Sequence, residues 1–151
     1  MPGVAIVDTS VLLNVLDVPA FNQDRDTVLG HLEQLLEAGE HLLLPMAAIF
    51  EAGNHIGQLA DGRLRRRYAT EFADQIRMAL NGNAPWVPVQ LPDMTQVHEW
   101  LDSFPDFAMR GSGMGDLSIV KEWEAACARH PRLRVRIWSL DHHMGGYDRA
   151  P

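Results

Sequence analysis

Short apolar runs alternate along the chain with stretches in which apolar residues recur every three or four positions. The runs at 4–7, 41–44, 86–90 and 134–140 have the length of strands, and helical spacing fills the intervals between them. This alternation predicts an α/β fold in which helices flank a central parallel sheet. No repeat, low-complexity tract or linker divides the chain, so a single domain is expected over residues 1–151.

The helical intervals carry their own start and stop signals. Ser10 is a good N-cap for a short first helix, and Gly39 is a plausible end for a helix over 22–38. Pro45 suits the first turn of a helix that runs to about residue 59. Three later helices are predicted over 61–81, over about 93–103 with a break before Pro105, and over about 116–130.

Two local features set expectations for the sheet edges. Pro88 cannot donate a hydrogen bond to a neighbouring strand, so the run 86–90 is placed near an edge of the sheet. The tail beyond Leu140, with Gly145 and Gly146 in succession, predicts a loop or a short irregular end.

Four acidic residues fall where this architecture brings side chains together. Asp8 and Asp141 each end a predicted strand, and open α/β sheets bind ligands beyond the carboxyl ends of their strands. Asp116 begins a helix, and Glu51 lies in the helix that follows Pro45. Carboxylates crowded at one place repel each other unless a cation joins them, and oxygen ligands favour Mg²⁺ or Mn²⁺.

Each acid also has an ordinary structural explanation. Asp8 suits a helix N-cap, although Ser10 is better placed for that role. Asp116 suits the first turn of a helix, but an apolar stripe follows it at helical spacing, which indicates the buried face. Glu51 suits a solvated helix face, and Asp141 suits the start of a loop. Their order on one alternating fold favours a shared site.

Four segments resemble the motifs of PIN-domain ribonucleases, and most closely those of the VapC toxins of prokaryotic toxin–antitoxin pairs. They are VDTSVLL at 7–13, AIFEA at 48–52, GDLSIV at 115–120 and IWSLD at 137–141. The resemblance spans nearly the whole chain. The first segment is fairly specific, whereas the second depends largely on Glu51 alone.

The resemblance implies a five-stranded parallel sheet and endonucleolytic cleavage of RNA at an acidic metal site. Asp8 and Asp116 would be the surest Mg²⁺ or Mn²⁺ ligands, with Glu51 and Asp141 completing the catalytic pocket. It also implies a homodimer and a cognate antitoxin whose carboxyl-terminal segment covers the acids.

One departure from the family concerns the residues after Asp141. Many members carry a second Asp there, whereas this chain continues with His142 and His143. A second cation would have to share the remaining carboxylates and accept repulsion from the first. The sequence therefore predicts one metal site that fills at lower metal concentration, and a weaker second ion.

The overall charge bears on the substrate. The chain carries 13 basic and 20 acidic residues, a net charge of −7, which is the wrong sign for holding nucleic acid by diffuse electrostatics alone. Bound divalent ions would reverse that sign where a phosphate lies. On one helix face, Arg63, Arg66 and Arg67 either follow an RNA backbone or pair with Glu71 and Asp74; pairing is favoured.

Other composition signals limit location and chemistry. One cysteine, Cys127, excludes an intramolecular disulfide and fits a reducing cytosol. The longest apolar run is too short to span a bilayer, and no basic segment precedes an apolar one at the start, so a cytoplasmic protein without membrane contact is expected.

Seven histidines lack paired metal-ligand spacing, which disfavours zinc. The four tryptophans fall in apolar patterns and predict core or interface packing.

Rival functions explain the acids less well. A phosphoacceptor domain needs a lysine at the end of a late strand, whereas Lys121 lies within a helix. A haloacid-dehalogenase-type phosphatase needs a second Asp two residues after Asp8. An RNA-processing nuclease without an antitoxin, and a catalytically silent PIN fold that only binds partners, stay open. Asp17 and Asp148 are interpreted as solvated acids outside the site.

Overall fold

A single five-stranded sheet organises the chain in a computed structural model that describes residues 2–151. Its strands are β1 (Val4–Val7), β2 (His41–Leu44), β3 (Trp86–Pro88), β4 (Val135–Trp138) and β5 (Asp148–Arg149). The order across the sheet is β3-β2-β1-β4-β5. The first four strands run parallel and β5 is antiparallel to β4. The predicted α/β class is confirmed, with a mostly parallel sheet.

Six α-helices flank the sheet within residues 2–151. They are α1 (Thr9–Val15), α2 (Arg25–Glu37), α3 (Met46–Gly57), α4 (Gly62–Leu80), α5 (Met94–Met109) and α6 (Met114–Arg129). A one-turn 3-10 helix (His142–Met144) precedes β5. None of the helices described in this range is long and apolar enough to cross a membrane.

The central strand β1 is apolar throughout because helices cover both faces of the sheet. All four of its residues are buried, as expected for a parallel strand between two helical layers. Ala5 and Val7 face the larger core cluster, which includes residues of α1 to α4. Val4 and Ile6 face the smaller cluster, which includes residues of α6. The carboxyl ends of β1 and β4 are therefore held side by side between two packed helical layers.

The prediction that Ser10 caps the first helix is wrong. α1 begins at Thr9, and Asp8 occupies the N-cap position with extended backbone angles but makes no side-chain capping bond. Ser10 is unavailable as a cap because its Oγ accepts a hydrogen bond from the backbone N–H of Leu140, 3.0 Å away. The hydrogen bond to Leu140, 130 residues away in the chain, has therefore outweighed the local preference of Ser10 for the N-cap position.

The prediction that α5 ends before Pro105 is also wrong, since Pro105 lies inside the helix. A proline removes only its own N–H from the helix ladder and frees one carbonyl a turn earlier. Pro105 and Leu101, the residue four positions earlier, are both exposed, so the freed carbonyl lies on the solvent side of the helix. A capping box formed by Asp93 and Gln96 secures the other end of the helix, with Asp93 accepting from the Gln96 N–H at 2.7 Å.

The tail is more ordered than its glycines indicated. Beyond Leu140 the chain forms the 3-10 turn and then β5, which pairs with β4 through Val135–Arg149 and Arg136–Asp148. The Asp148 carboxylate accepts two hydrogen bonds from Arg134, at 2.9 and 2.7 Å. The interpretation of Asp148 as a solvated acid is confirmed, since its side chain is 39% exposed, and the same carboxylate pairs with Arg134 at the edge of the sheet. The edge position predicted for β3 is confirmed.

Candidate active site

Asp8 stands where the two central strands end. Its backbone N–H donates to the Trp138 carbonyl at 3.0 Å, which continues the β1–β4 pairing by one residue. The side chain is 6% exposed. Its Oδ2 accepts a hydrogen bond from Ser139 Oγ at 2.6 Å and a longer one from Ser10 Oγ at 3.4 Å. Two hydroxyls thus fix the orientation of a buried carboxylate.

Ser139 connects Asp8 with the loop that carries Asp141. Its Oγ accepts from the backbone N–H of Asp141 at 3.0 Å while donating to Asp8. Asp141 is exposed, and its Oδ1 accepts from the His143 N–H at 3.0 Å, which caps the 3-10 turn. The structure therefore places Asp141 beside Asp8, at the rim of the site.

Glu51 reaches the site from α3 and is not a solvated surface acid. It is partly buried, and its Oε2 accepts from Thr9 Oγ1 at 2.7 Å. Its other oxygen lies over Gly115, so close that a Cβ on Gly115 would stand 1.5 Å from Oε1. A Cβ on Gly115 would therefore force the Glu51 carboxylate to move, and Glu51 lies directly beside the first turn of α6.

Asp116 occupies that first turn and is partly buried. Burial raises its pKa most, and the negative charges of Asp8, Glu51 and Asp141 raise it further, while His143 acts in the opposite direction. The predicted apolar stripe after Asp116 is present, with Val120 buried. The other three acids thus lie close enough to Asp116 to raise the pKa of its carboxyl group.

The carboxyl group of Asp8 also has a raised pKa. Burial is the largest cause that raises its pKa, and it outweighs the hydrogen bonds from Ser139, the Thr9 backbone and Ser10. The charge of Asp141 raises the pKa further. Within residues 2–151 no ion pair involves any of the four acids. Among these residues the site therefore contains no ion-pair partner for its acids, and His143 is the basic side chain that partly offsets the charge around Asp116.

The donor set fits a hard divalent cation, although the acids do not form a closed cage. Among residues 2–151, no three or more His, Cys, Asp or Glu side chains are grouped as a metal site. Mg²⁺ keeps several waters and needs only one or two protein carboxylates directly, so an open arrangement is compatible with it. Carboxylate oxygens are the ligands it prefers. The Glu51 carboxylate occupies the space that a Cβ on Gly115 would fill, and it therefore lies next to Asp116.

Two contributors were not recognised from the sequence. Ser139 and Gly115 lie inside the motif segments, yet no role was assigned to either. The available signal was position: Ser139 is two residues before Asp141, and Gly115 directly precedes Asp116. Neither position reveals its partner, because Ser139 and Asp8 are 131 residues apart in the chain.

The basic cluster on α4 is partly neutralised, as the sequence favoured. Arg67 pairs with Glu71 at 3.4 Å, whereas Asp74 pairs with Arg77 at 3.1 Å. Arg63 and Arg66 make no ion pair with another residue of the described chain 2–151. Whether these two arginines touch RNA stays a prediction without a test.

No protein-family model, curated protein or solved structure matches this chain. The chemistry of the acids and of their surroundings is therefore what supports a function.

Proposed function

We propose that the protein is a Mg²⁺- or Mn²⁺-dependent endoribonuclease of the PIN-domain type. One observation carries the proposal: Asp8, which is buried, and Asp116, which is partly buried, lie at the carboxyl edge of a parallel sheet with raised pKa values and, within residues 2–151, without an ion-pair partner. A carboxylate kept in such a place costs stability unless something positive binds to it. Ligand-binding crevices of open α/β sheets lie at this edge.

The residues divide the work by their position. Asp8 and Asp116 would hold the cation, because Asp8 is buried and its negative charge is, after burial, the largest cause that raises the pKa of Asp116. Ser139 and Thr9 orient Asp8 and Glu51 through short hydroxyl hydrogen bonds. A bound Mg²⁺ or Mn²⁺ would supply a low-pKa water and neutralise charge on the phosphodiester.

Glu51 and Asp141 flank that pair from opposite sides of the edge, one from α3 and one from the loop after β4. From these positions either carboxylate can orient a water or accept its proton. RNA is chosen over other phosphodiesters because the four motif segments resemble those of PIN-domain ribonucleases.

The decisive experiment replaces Asp8 by Asn. Asp8→Asn keeps the shape of the side chain and removes its charge, so we expect RNA cleavage in Mn²⁺ to fall by more than about 100-fold, the upper end of losses seen on disturbing metal-site partners. Asp102→Asn, an exposed acid on α5, is the matched control and should keep full activity. Cleavage by the Asp8→Asn protein at the wild-type rate refutes the assignment.

A finer part of the proposal is that the nuclease is a cytoplasmic toxin, dimeric and restrained by a cognate antitoxin. Exposed apolar side chains adjoin the acids: Phe50 is 55%, Leu140 39% and Met114 36% exposed. Apolar surface of this kind is typical of sites that a protein partner covers. Further exposed side chains on α5, Met94 and Met109 at 80% each, support a second copy as partner.

Two measurements test this finer part separately from the chemistry. Light scattering at tens of micromolar should show a dimer, and a monomer contradicts that element alone. Co-expression with a small protein encoded next to this chain should suppress its RNA cleavage. If no such protein suppresses it, an RNA-processing nuclease outside a toxin–antitoxin pair becomes the correct description.

A further inference from the structure

A hollow of about 260 Å³ opens beside the acids, and we refer to it as the side hollow. Two site residues, Ser10 and Asp141, form part of its wall. The remaining wall that matters here comes from Phe21, Gln23 and Asp24, in the loop between α1 and α2. Its volume lies just below the roughly 300–1,000 Å³ of pockets for drug-sized molecules, which suits a single heterocyclic base.

The loop that builds the side hollow is held in a defined shape. Ala20 adopts a left-handed backbone angle, φ 71°, which residues with a Cβ other than Asn and Asp seldom adopt, and Asp17 adopts φ 59°. The Asp24 N–H donates to Asn14 Oδ1 at 3.0 Å, and the Phe21 ring packs against His55 with centroids 4.6 Å apart. Strained backbone of this kind clusters at ligand sites.

The chemical groups of the side hollow complement an aromatic ring with hydrogen-bond donors on its edge. Phe21 supplies an aromatic face. Gln23 donates through Nε2 to the Ala20 carbonyl at 2.7 Å, which leaves Oε1 as an acceptor. Asp24 stands at the N-cap of α2 without a side-chain capping bond, and its carboxylate has no hydrogen-bond partner within residues 2–151. Acceptors therefore dominate the polar wall.

We propose that the side hollow binds the base of a nucleotide next to the cleaved phosphate and selects guanine. The inference rests on the proposed nuclease function. Single-stranded RNA is recognised by stacking bases on aromatic side chains and bonding their Watson–Crick edges. Guanine alone offers two adjacent N–H donors on that edge, N1 and N2, which match the two oxygens of Asp24.

The other bases place an acceptor against the same carboxylate. Adenine and cytosine each pair their amino group with a neighbouring ring nitrogen that accepts, and uracil flanks its single N–H with two carbonyls. A polar site rejects a ligand that leaves its groups unpaired. Base selection at this hollow is thus set by Asp24, whereas Phe21 contributes stacking to any base.

The first test maps cleavage of a pool of RNA oligonucleotides that differ at the positions around the cut. The wild-type protein should favour guanine at one such position. Asp24→Asn should lower kcat/KM for the guanine substrate roughly 5- to 150-fold, the range of one good bidentate base contact. Cleavage of the adenine counterpart should be unchanged. Asp26→Asn, an exposed acid in the first turn of α2, is the control and should keep the preference.

A second test needs no cleavage, so its failure is distinguishable from failure of the nuclease assignment. Titration of the labelled protein with guanosine, followed by nuclear magnetic resonance, should shift the signals of Phe21 and Gln23. Adenosine should shift them less, and Asp24→Asn should abolish the difference. Equal responses to both nucleosides, or a guanine preference that survives Asp24→Asn, overturn the proposal even if the protein cleaves RNA. Asp24→Asn keeps the backbone bond to Asn14, so the loop stays intact.

Discussion

The acids on α4 and the acids at the sheet edge differ in their exposure to solvent and in whether they form ion pairs. Glu71 and Asp74 are exposed and pair with Arg67 and Arg77 of the same helix. At the sheet edge, carboxylates from four distant segments meet without any Arg or Lys partner among residues 2–151. Helical spacing is enough to neutralise a surface acid. The edge acids would need a basic side chain placed there by the fold, and among residues 2–151 His143 alone acts on Asp116 in that direction.

The two regions therefore differ in what they do to stability. Exposed ion pairs such as that of Arg67 and Glu71 are worth about 0–1 kcal/mol. An ionised carboxylate withdrawn from water without a partner costs several kcal/mol. A fold that retains Asp8 at 6% exposure accepts that cost. This contrast is the physical basis of the proposal that the edge acids bind a cation.

The largest difference between the regions should appear in metal binding. Asp116→Asn should lower Mn²⁺ affinity and cleavage by more than about 100-fold, while Asp141→Asn should cost about tenfold, because Asp141 is exposed and lies at the rim. Calorimetric titration of the free protein should show one tight site. Two equivalent tight sites without RNA would contradict this, and would show that an acid outside the four belongs to the cluster.

Gly115→Ala tests whether the position of the Glu51 carboxylate at the sheet edge matters for cleavage. The new Cβ would displace the Glu51 carboxylate, so cleavage should fall about 10- to 100-fold, as for a disturbed metal-site partner. Stability should rise by up to roughly 1 kcal/mol, since Ala exceeds Gly in helix propensity.

Two controls isolate the cause in cleavage and urea-unfolding assays. Gly113→Ala adds a Cβ that meets nothing within 4 Å and should keep activity. In a Glu51→Ala background, Gly115→Ala should cause no further loss of cleavage. A further loss there would mean that Gly115 acts by another route.

The pH dependence of stability tests the uncompensated charge directly. Asp8 and Asp116 have folded-state pKa values raised above the ordinary 3.8, so each favours folding while protonated and loses that contribution as pH rises through the raised value. Without metal, Asp116→Asn should therefore be more stable than wild type at neutral pH, and the advantage should vanish in acid. Urea unfolding in chelator across pH checks this. An advantage that persists unchanged at low pH would contradict it.

The smallest effect is expected on α4. Arg67→Gln removes one exposed ion pair and should change the free energy of unfolding by less than about 0.5 kcal/mol, without altering cleavage in Mn²⁺. Thermal unfolding measures the first and RNA cleavage the second. A loss comparable to that of Asp116→Asn would show that the helix contributes more than a solvated face.

Local patterns in the sequence predicted what depends on local physics. The bounds of β1 and β2 agree with the apolar runs because strand length and burial are encoded within a few residues. The two residues of β5 carry no strand pattern, and the pairing of Arg134 with Asp148 that fastens them joins separate segments. The predicted helix break at Pro105 was wrong: a proline disfavours a helix but does not forbid it, and the exposed position of Pro105 could not be inferred from the sequence.

The site follows the same division. Asp8, Asp116 and Asp141 were found because each ends a strand or opens a helix, whereas Glu51, in the middle of α3, was found through the motif resemblance. Their supports were not found, since the Ser139 bond to Asp8, the Thr9 bond to Glu51 and the space above Gly115 depend on which loops meet in three dimensions. Spacing identifies the charges, whereas only the fold identifies what orients them.

The bond between Asp8 and Ser139 joins positions 131 residues apart, near the two ends of the chain. During synthesis the amino-terminal part emerges first, so Asp8 is exposed to the cell long before its partner exists. The oriented carboxylate can form only after β4 has left the ribosome and paired with β1. A chain that ends before residue 139 would thus carry Asp8 but lack the hydroxyl that orients its carboxylate.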